Sequence, residues 1–155
     1  MFTRFLAALL LLASYVVAAP AAAQERPIKL ESGVQLLQPA SDGEEARLVE
    51  PQGVVPGDTL VFTTRYRNDG AAPVTNFVIV NPVSADLLLS DEAATQTEVS
   101  VDGAQNWGQL ADLTVIDIES QERAATPQDI THLRWVLSEI PPAGAGEVQF
   151  SATVR

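Results

Sequence analysis

Apolar and polar residues alternate with a period of two along several short stretches of the chain. The clearest runs from Thr59 to Asn68. Because side chains of a β-strand point alternately to opposite faces, this spacing predicts a strand. One face carries Leu60, Phe62, Thr64 and Tyr66, and the other Val61, Thr63, Arg65 and Arg67. Asn68-Asp69-Gly70 follows at once and tolerates positive φ, so a turn is expected there.

Similar stretches lie between further turns rich in glycine and proline. We predict strands over residues 34–38, 74–80, 97–101, 110–118, 130 onward and 148–154. The residues expected to face the core in the last two are Leu133, Trp135, Leu137, Val148, Phe150, Ala152 and Val154. Asp102-Gly103 is expected to be a hairpin turn rather than part of a phosphate-binding loop.

Seven or eight such strands without intervening helices predict an all-β protein. The expected architecture is an immunoglobulin-like antiparallel β-sandwich, with a closed barrel as the alternative. We assign the sandwich to residues 54–155, after an N-terminal segment, 24–53, that holds a first strand. Five side chains are expected to meet in its core: Phe62, Tyr66, Leu133, Trp135 and Phe150.

Residues 1–23 have a different pattern. Arg4 is followed by an apolar run and then by Pro20 and three alanines ending at Ala23. This is typical of a secretory signal peptide cleaved after Ala23. A transmembrane anchor is the alternative, but the run is shorter than the roughly 18 residues that a span needs. We therefore expect a periplasmic or secreted protein with no membrane insertion after cleavage.

The composition is strongly acidic, with 9 basic and 20 acidic side chains in the chain. Cleavage would remove Arg4 and no acidic residue, so the mature chain would have 9 − 1 = 8 basic and 20 acidic side chains, a formal net charge of −12. Binding to nucleic acid or to anionic lipid depends on Lys and Arg, so both partners are disfavoured. The chain has no cysteine, so stability must come from core packing. A soluble monomer is expected.

The residues offer little for catalysis. Ser-His-Asp chemistry needs a positioned imidazole, and the only histidine, His132, lies among outward residues of a predicted strand. Zinc and copper sites draw on several His, Cys or Met ligands. We predict no enzyme and no catalytic, cofactor-binding or metal-binding residues, with His132 a surface or edge residue.

Calcium is the alternative to no cofactor, because it needs only oxygen ligands. Three acidic runs could supply them, at residues 42–45, 91–92 and 117–119, but none has the spacing of a known calcium loop. Solvated charge is the favoured interpretation. Lys29, the only lysine, is expected to lie in a solvated tail rather than in an isopeptide crosslink.

Four motifs together resemble a known family. They are Pro-Gly-Asp-Thr at 56–59, Asn-Asp-Gly at 68–70, Asn-Pro at 81–82 and Pro-Ala-Gly at 142–144. In this order and with these strands, the chain is similar to the bacterial surface repeat domain of unknown function eleven. Residues 100–103 and 129–135 resemble a single-domain exported subgroup from Gram-negative bacteria; Ser84-Ala85-Asp86 departs from the usual turn. The resemblance implies an immunoglobulin-like structural or adhesive module without catalytic residues.

Three functional hypotheses follow. The leading one is a non-enzymatic envelope module that presents a rigid surface or an unpaired sheet edge to an unknown envelope protein. The alternative is a periplasmic chaperone or assembly factor, for which Arg65 and Arg67 are the only candidate anchor. An envelope hydrolase is the third, and it rests only on the abundance of carboxylates.

Overall fold

The computed structural model describes residues 27–40 and 45–155. Within them the chain forms ten strands, one short α-helix and two 3₁₀ turns. The strands are β1 (Ile28–Gln38), β2 (Arg47–Val49), β3 (Thr59–Asn68), β4 (Val74–Pro82), β5 (Leu87–Leu89), β6 (Glu98–Ser100), β7 (Thr114–Ile116), β8 (Glu122–Ala124), β9 (His132–Ile140) and β10 (Ala145–Val154). The helix α1 spans Asp91–Gln96, and the 3₁₀ turns span Leu110–Asp112 and Pro127–Asp129.

All pairings between strands are antiparallel. One sheet has five strands in the order β2-β1-β3-β10-β5, and the other has three in the order β4-β9-β6. Strands β7 and β8 form a separate hairpin. The predicted all-β antiparallel sandwich is therefore confirmed.

The strand order departs from that of the constant-type immunoglobulin sandwich. There the last strand joins the three-stranded sheet. Here β10, the last strand, lies between β3 and β5 in the larger sheet. What the two arrangements share is the packing of two antiparallel sheets.

More strands are present than the seven or eight expected. Five of the ten, β2, β5, β6, β7 and β8, have three residues each, too few for alternation to be visible in a sequence. The predicted single strand over 110–118 is wrong. Its first residues form the 3₁₀ turn, in which the Leu113 N–H donates to the Leu110 carbonyl at 3.2 Å. Only Thr114–Ile116 pairs as a strand.

The core lies between the two sheets, as the alternation predicted. Phe62 and Phe150 are opposite each other on β3 and β10, and their rings stack with centroids 4.7 Å apart. The Trp135 ring is 6.1 Å from that of Phe150, and Leu133 is fully buried in the same cluster. Four of the five expected core side chains therefore meet.

Tyr66 is the exception, because it lies at the other end of β3. Its partner in β10 is Gly146, and a Cβ at that glycine would overlap the Tyr66 ring. Because Gly146 has no side chain, the Tyr66 ring can lie over β10, the neighbouring strand of the same sheet. Tyr66 is half-buried there and outside the core cluster.

The first strand begins earlier than expected, at Ile28 rather than at residue 34. Residues 29–33 are exposed on both faces, which hides the alternation in the sequence. The prediction of a solvated tail at Lys29 is therefore wrong, because Lys29 lies in β1 opposite Arg67. The side chain itself remains exposed, and its Nζ is 2.6 Å from Asp69 Oδ2.

The predicted signal peptide, residues 1–23, lies outside the described residues. Among the residues that are described, no helix is long and apolar enough to cross a membrane.

Candidate functional site

The outer face of the three-stranded sheet carries an exposed apolar stripe. Val78 lies opposite Val136 across β4 and β9, and Val80 lies opposite Arg134. The three valines are 45%, 43% and 52% exposed in the order Val78, Val80, Val136, whereas Ile79 between the first two is 2% exposed. Single exposed apolar residues are common on protein surfaces and need no explanation, whereas a contiguous group of them is typical of a contact surface. We call Val78, Val80 and Val136 the valine face.

An ion pair and an aromatic ring border the valine face. Arg134 Nε donates to Glu98 Oε2 at 2.7 Å, and the hydrogen bond lowers the pKa of that carboxyl. The guanidinium carbon of Arg134 also lies 4.8 Å from the centroid of the Trp107 ring, a cation–π geometry. These contacts hold the Arg134 side chain across the sheet, so the border of the valine face is preorganised.

Trp107 is positioned by the loop after β6. The Asp102 carboxylate accepts hydrogen bonds from the backbone N–H of Gln105 and Asn106 at 3.1 and 2.9 Å, and from Asn106 Nδ2 at 2.7 Å. The bonds from Asn106, with that from the Ser100 hydroxyl, lower the pKa of Asp102 to about 2. The predicted turn at Asp102-Gly103 is thus present, but it is part of a loop longer than a tight hairpin, since the chain pairs again only at Gly108. The Asp102 carboxylate closes this loop through its hydrogen bonds.

After this loop the chain rejoins the sheet at Gly108. The N–H groups of Val99 and Gly108 each donate to the other residue's carbonyl, at 2.9 and 3.1 Å. Val99 points into the core, so alternation places Trp107, one residue before Gly108, on the outer face. The ring consequently reaches Arg134 and also meets His132 edge-on, with 6.3 Å between centroids.

The outer edge of β4 adjoins the valine face. β4 is the last strand of its sheet, and no strand of the described part of the chain pairs with its outer side. Val83 N–H donates toward β9, to the Thr131 carbonyl at 2.8 Å. Backbone groups of successive strand residues alternate in direction, so those of Val78 and Val80 point away from β9. Pro82 also faces outward, where its missing N–H is tolerated.

Among the strand edges of the described residues, only this one is both long and uncharged, because β5 and β7 are uncharged too but have only three residues each. β4 contains no charged residue. β1 carries Lys29 and Glu31 where β2 does not cover it, and β10 carries Glu147 beyond the end of β5. Charges on an edge discourage pairing with another chain. Among the open edges described here, β4 is therefore the one best suited to accept a further strand.

His132 lies on the outer face, as predicted, and is half-buried. Its Nδ1 is 3.1 Å from the Thr131 hydroxyl, and its ring meets Trp107. In residues 27–40 and 45–155, no group of three or more His, Cys, Asp or Glu side chains could hold a metal ion. The contacts of His132 are thus those of a packed surface residue.

Arg65 and Arg67, the proposed anchor of a chaperone, lie beside an open groove of about 490 Å³ on the five-stranded sheet. Arg65 Nε is 3.3 Å from Glu147 Oε2, and Arg67 Nε is 2.7 Å from Asp69 Oδ1. Hydrogen bonds from Lys29 and then Arg67 lower the pKa of Asp69. Both guanidinium charges are therefore offset by carboxylates of the same chain.

The acidic runs have local roles where they are described. Asp91 and Glu92 occupy the first turn of α1, where negative charge is favourable, and the Ser90 side chain caps that helix. Asp117 Oδ1 accepts from the N–H groups of Glu119 and Gln121, each at 2.9 Å. Residues 42–44 of the first run lie outside the described residues.

No family model, curated protein or solved structure matches this chain. The resemblance to the surface repeat domain therefore stays a prediction.

Sequence reasoning missed both parts of this surface. The visible signal for the border of the valine face was Trp107, an aromatic residue that directly precedes Gly108 and follows the predicted Asp102-Gly103 turn by a few residues. The absence of charge over residues 74–82 was the corresponding signal for the edge of β4.

Proposed function

We propose that this protein is a non-enzymatic, exported module of the cell envelope that binds another protein. The valine face and the adjoining outer edge of β4 form the binding surface. One observation carries the proposal: three exposed valines lie beside a long, uncharged strand edge with which no strand of residues 27–40 and 45–155 pairs.

The chemistry of strand addition supports this assignment. An extended segment of a partner can hydrogen-bond the outward backbone groups of Val78 and Val80, and its apolar side chains can cover the valine face. Main-chain bonds of this kind contribute affinity, whereas the side chains beside them contribute specificity. The Arg134–Trp107 pair would form a polar border around the contact.

Substitution of Val136 by Glu tests the proposal, with Val55→Glu as the matched control. The two valines are similarly exposed, at 52% and 59%, but Val55 lies in a loop away from the valine face. In-cell crosslinking followed by mass spectrometry should capture a protein with the wild type and with Val55→Glu. Val136→Glu should lose that protein because a charge then lies in the apolar contact.

Two outcomes would contradict the proposal. One is capture of the same proteins, in the same amounts, by Val136→Glu and by the wild type. The other is recovery of the full-length chain in the cytosolic fraction only, since export requires a periplasmic or secreted chain that begins at Gln24.

A periplasmic chaperone remains the alternative function, and the groove beside Arg65 and Arg67 is what supports it. The ion pairs of both arginines weaken this support, because an anchor for an acidic client group needs free positive charge. If the chaperone function holds, the Arg65→Ala/Arg67→Ala variant should recover fewer clients in crosslinking, while Val136→Glu should recover the usual number.

A further inference from the structure

We propose that the segment bound at the edge of β4 is β4 of a second copy of this chain. This inference rests on the proposed function, because it names the partner of the same surface. The two strands would pair antiparallel about a two-fold axis at Ile79 and join the two three-stranded sheets into one.

The edge is self-complementary in its hydrogen-bonding groups. With Ile79 on the axis, Val78 lies opposite Val80 of the partner subunit, and Val80 lies opposite the partner's Val78. Both residues direct their N–H and C=O groups outward, so each of these two pairs can exchange two hydrogen bonds. An isologous contact of this kind closes on itself and produces a dimer rather than a fibre.

The two irregular positions of β4 also match across the axis. Asn76 has a positive φ of 51°, which interrupts the extended backbone, and Pro82 has no N–H to donate. Each is separated from Ile79 by two residues, so Asn76 would lie opposite Pro82 of the partner subunit. The positions that cannot pair regularly thus face each other, and residues 77–81 between them form a symmetric pairing segment.

Charge favours this contact over others between copies of the chain. The full chain carries a formal charge of −11, and cleavage after Ala23 would make it one unit more negative, so like charges oppose association over most of the surface. The edge of β4 contains no charged residue, so the strands themselves meet without repulsion. The two valine faces would then form one continuous apolar stripe across the joined sheet.

The size of the contact predicts a weak dimer. A pairing segment of five residues with three partly exposed valines buries less than the roughly 1,200 Å² of a standard stable interface. We therefore expect monomers in dilute solution, as the sequence predicted, and dimers at high concentration.

Disulfide trapping tests the register directly, because the chain has no cysteine of its own. Residues opposite each other in a hydrogen-bonded antiparallel pair, as proposed for Val78 and the partner's Val80, have Cα atoms about 5.5 Å apart, within the range that a disulfide spans. A mixture of Val78→Cys and Val80→Cys chains should form a mixed disulfide at least about tenfold faster than a mixture of Val78→Cys and Val55→Cys chains, whose cysteines are not apposed. The wild-type chain should show a dimer by sedimentation equilibrium at a protein concentration of about 1 mM.

The inference is overturned if the Val78→Cys and Val80→Cys mixture crosslinks no faster than the Val55→Cys control. It is also overturned if Val78→Cys chains crosslink to one another as fast as they do to Val80→Cys chains, since that requires another register. In either case, a different protein captured by the wild type and lost by Val136→Glu would keep the proposed function and reject only the second copy as partner.

Discussion

At the scale of the residue, Asn68 connects parts of the molecule that are distant in sequence. Its side chain is fully buried. Nδ2 donates to the carbonyls of Ala72 and Ile140 at 2.9 and 3.0 Å, and Oδ1 accepts from the Gly70 N–H at 2.9 Å. The sequence predicted a turn residue here. The bond to Ile140, at the end of β9 in the other sheet, depends on how the two sheets pack.

Replacement of Asn68 by Ala should lower the free energy of unfolding by about 2–3 kcal/mol, because it leaves buried backbone groups without partners. Urea denaturation measures the change. Asn81→Ala is the control, since within the described residues the half-buried Asn81 side chain makes only one long hydrogen bond, 3.5 Å to the Thr64 hydroxyl. If Asn68→Ala lowers the free energy of unfolding no more than Asn81→Ala does, the role assigned to Asn68 is contradicted.

Asp102 makes the stability of the fold depend on pH. Its pKa of about 2 in the folded chain is below the ordinary value of 3.8, so its carboxylate stabilises the fold fully above the ordinary pKa. That contribution is lost as the pH falls through the folded pKa. The difference in urea midpoint between the wild type and Asp102→Asn should therefore be largest above about pH 4 and shrink toward pH 2.

Asn106→Ala provides the check on this cause. This substitution removes the side-chain hydrogen bond from Asn106 to Asp102, so the pKa of Asp102 should rise. As the pH is lowered, the stabilisation by the Asp102 carboxylate should therefore begin to fall at a higher pH than in the wild type. A difference between wild type and Asp102→Asn that does not change with pH would show that the carboxylate charge is not what closes the loop.

At the scale of the element, the pairing of β3 with β10 depends on one glycine. Gly146 accommodates the ring of Tyr66, whereas a Cβ at Gly33 in β1 would meet nothing within 4 Å. Both glycines lie in strands, and the sequence gives no reason to separate them. Their difference arises from the residue that each one faces across the sheet.

Gly146→Ala should destabilise the protein by about 1–3 kcal/mol, because the added carbon displaces the Tyr66 ring. Gly33→Ala should be neutral or stabilising by up to about 1 kcal/mol, since it restricts the unfolded chain without a clash. Thermal and urea unfolding compare the two. Equal effects would mean that the space beside Tyr66 does not limit this position.

The β7–β8 hairpin has the opposite character, because its apolar residues are outside the core. Ile118 is 102% exposed, whereas Leu133 in β9 is 0% exposed. Ile118→Ala should change the free energy of unfolding by less than about 0.5 kcal/mol, and Leu133→Ala should lower it by about 2–5 kcal/mol. A large loss on Ile118→Ala would indicate that the hairpin packs against another part of the chain.

At the scale of the whole molecule, net charge governs association. Each copy is strongly negative, with a formal charge of −11 for the full chain, and repulsion between copies extends over a Debye length of about 30 Å at 0.01 M salt but only about 8 Å at 0.15 M. The proposed contact between two β4 edges would itself be uncharged, so screening should remove the repulsion without weakening the contact.

Raising the salt from about 0.01 to 0.15 M should therefore strengthen the dimer, seen as a larger dimer fraction in sedimentation equilibrium at the same protein concentration. An association held by ion pairs between subunits would weaken instead. That result would contradict the pairing through β4.

The alternation of residues along β3, β9 and β10 was sufficient to predict that Phe62, Leu133, Trp135 and Phe150 meet in the core, but it did not exclude Tyr66 from that cluster. This is so because the period of two is a local property of an extended backbone. The turn after Asn68 was readable for the same reason, since the conformational preferences of Asn, Asp and Gly act over a few residues. The all-β sandwich followed from these local patterns.

Pairing between distant strands was decided only by the tertiary structure. Ile79 and Val80 are both apolar and adjacent in sequence, yet one is buried and the other exposed, because β4 is covered by the second sheet on one face only. Trp107 and Arg134 meet for a similar reason, since a loop closed by Asp102 returns the chain to the sheet that contains β9. Such contacts depend on which faces and edges the packed sheets leave uncovered, and that is set by the whole fold rather than by any one segment.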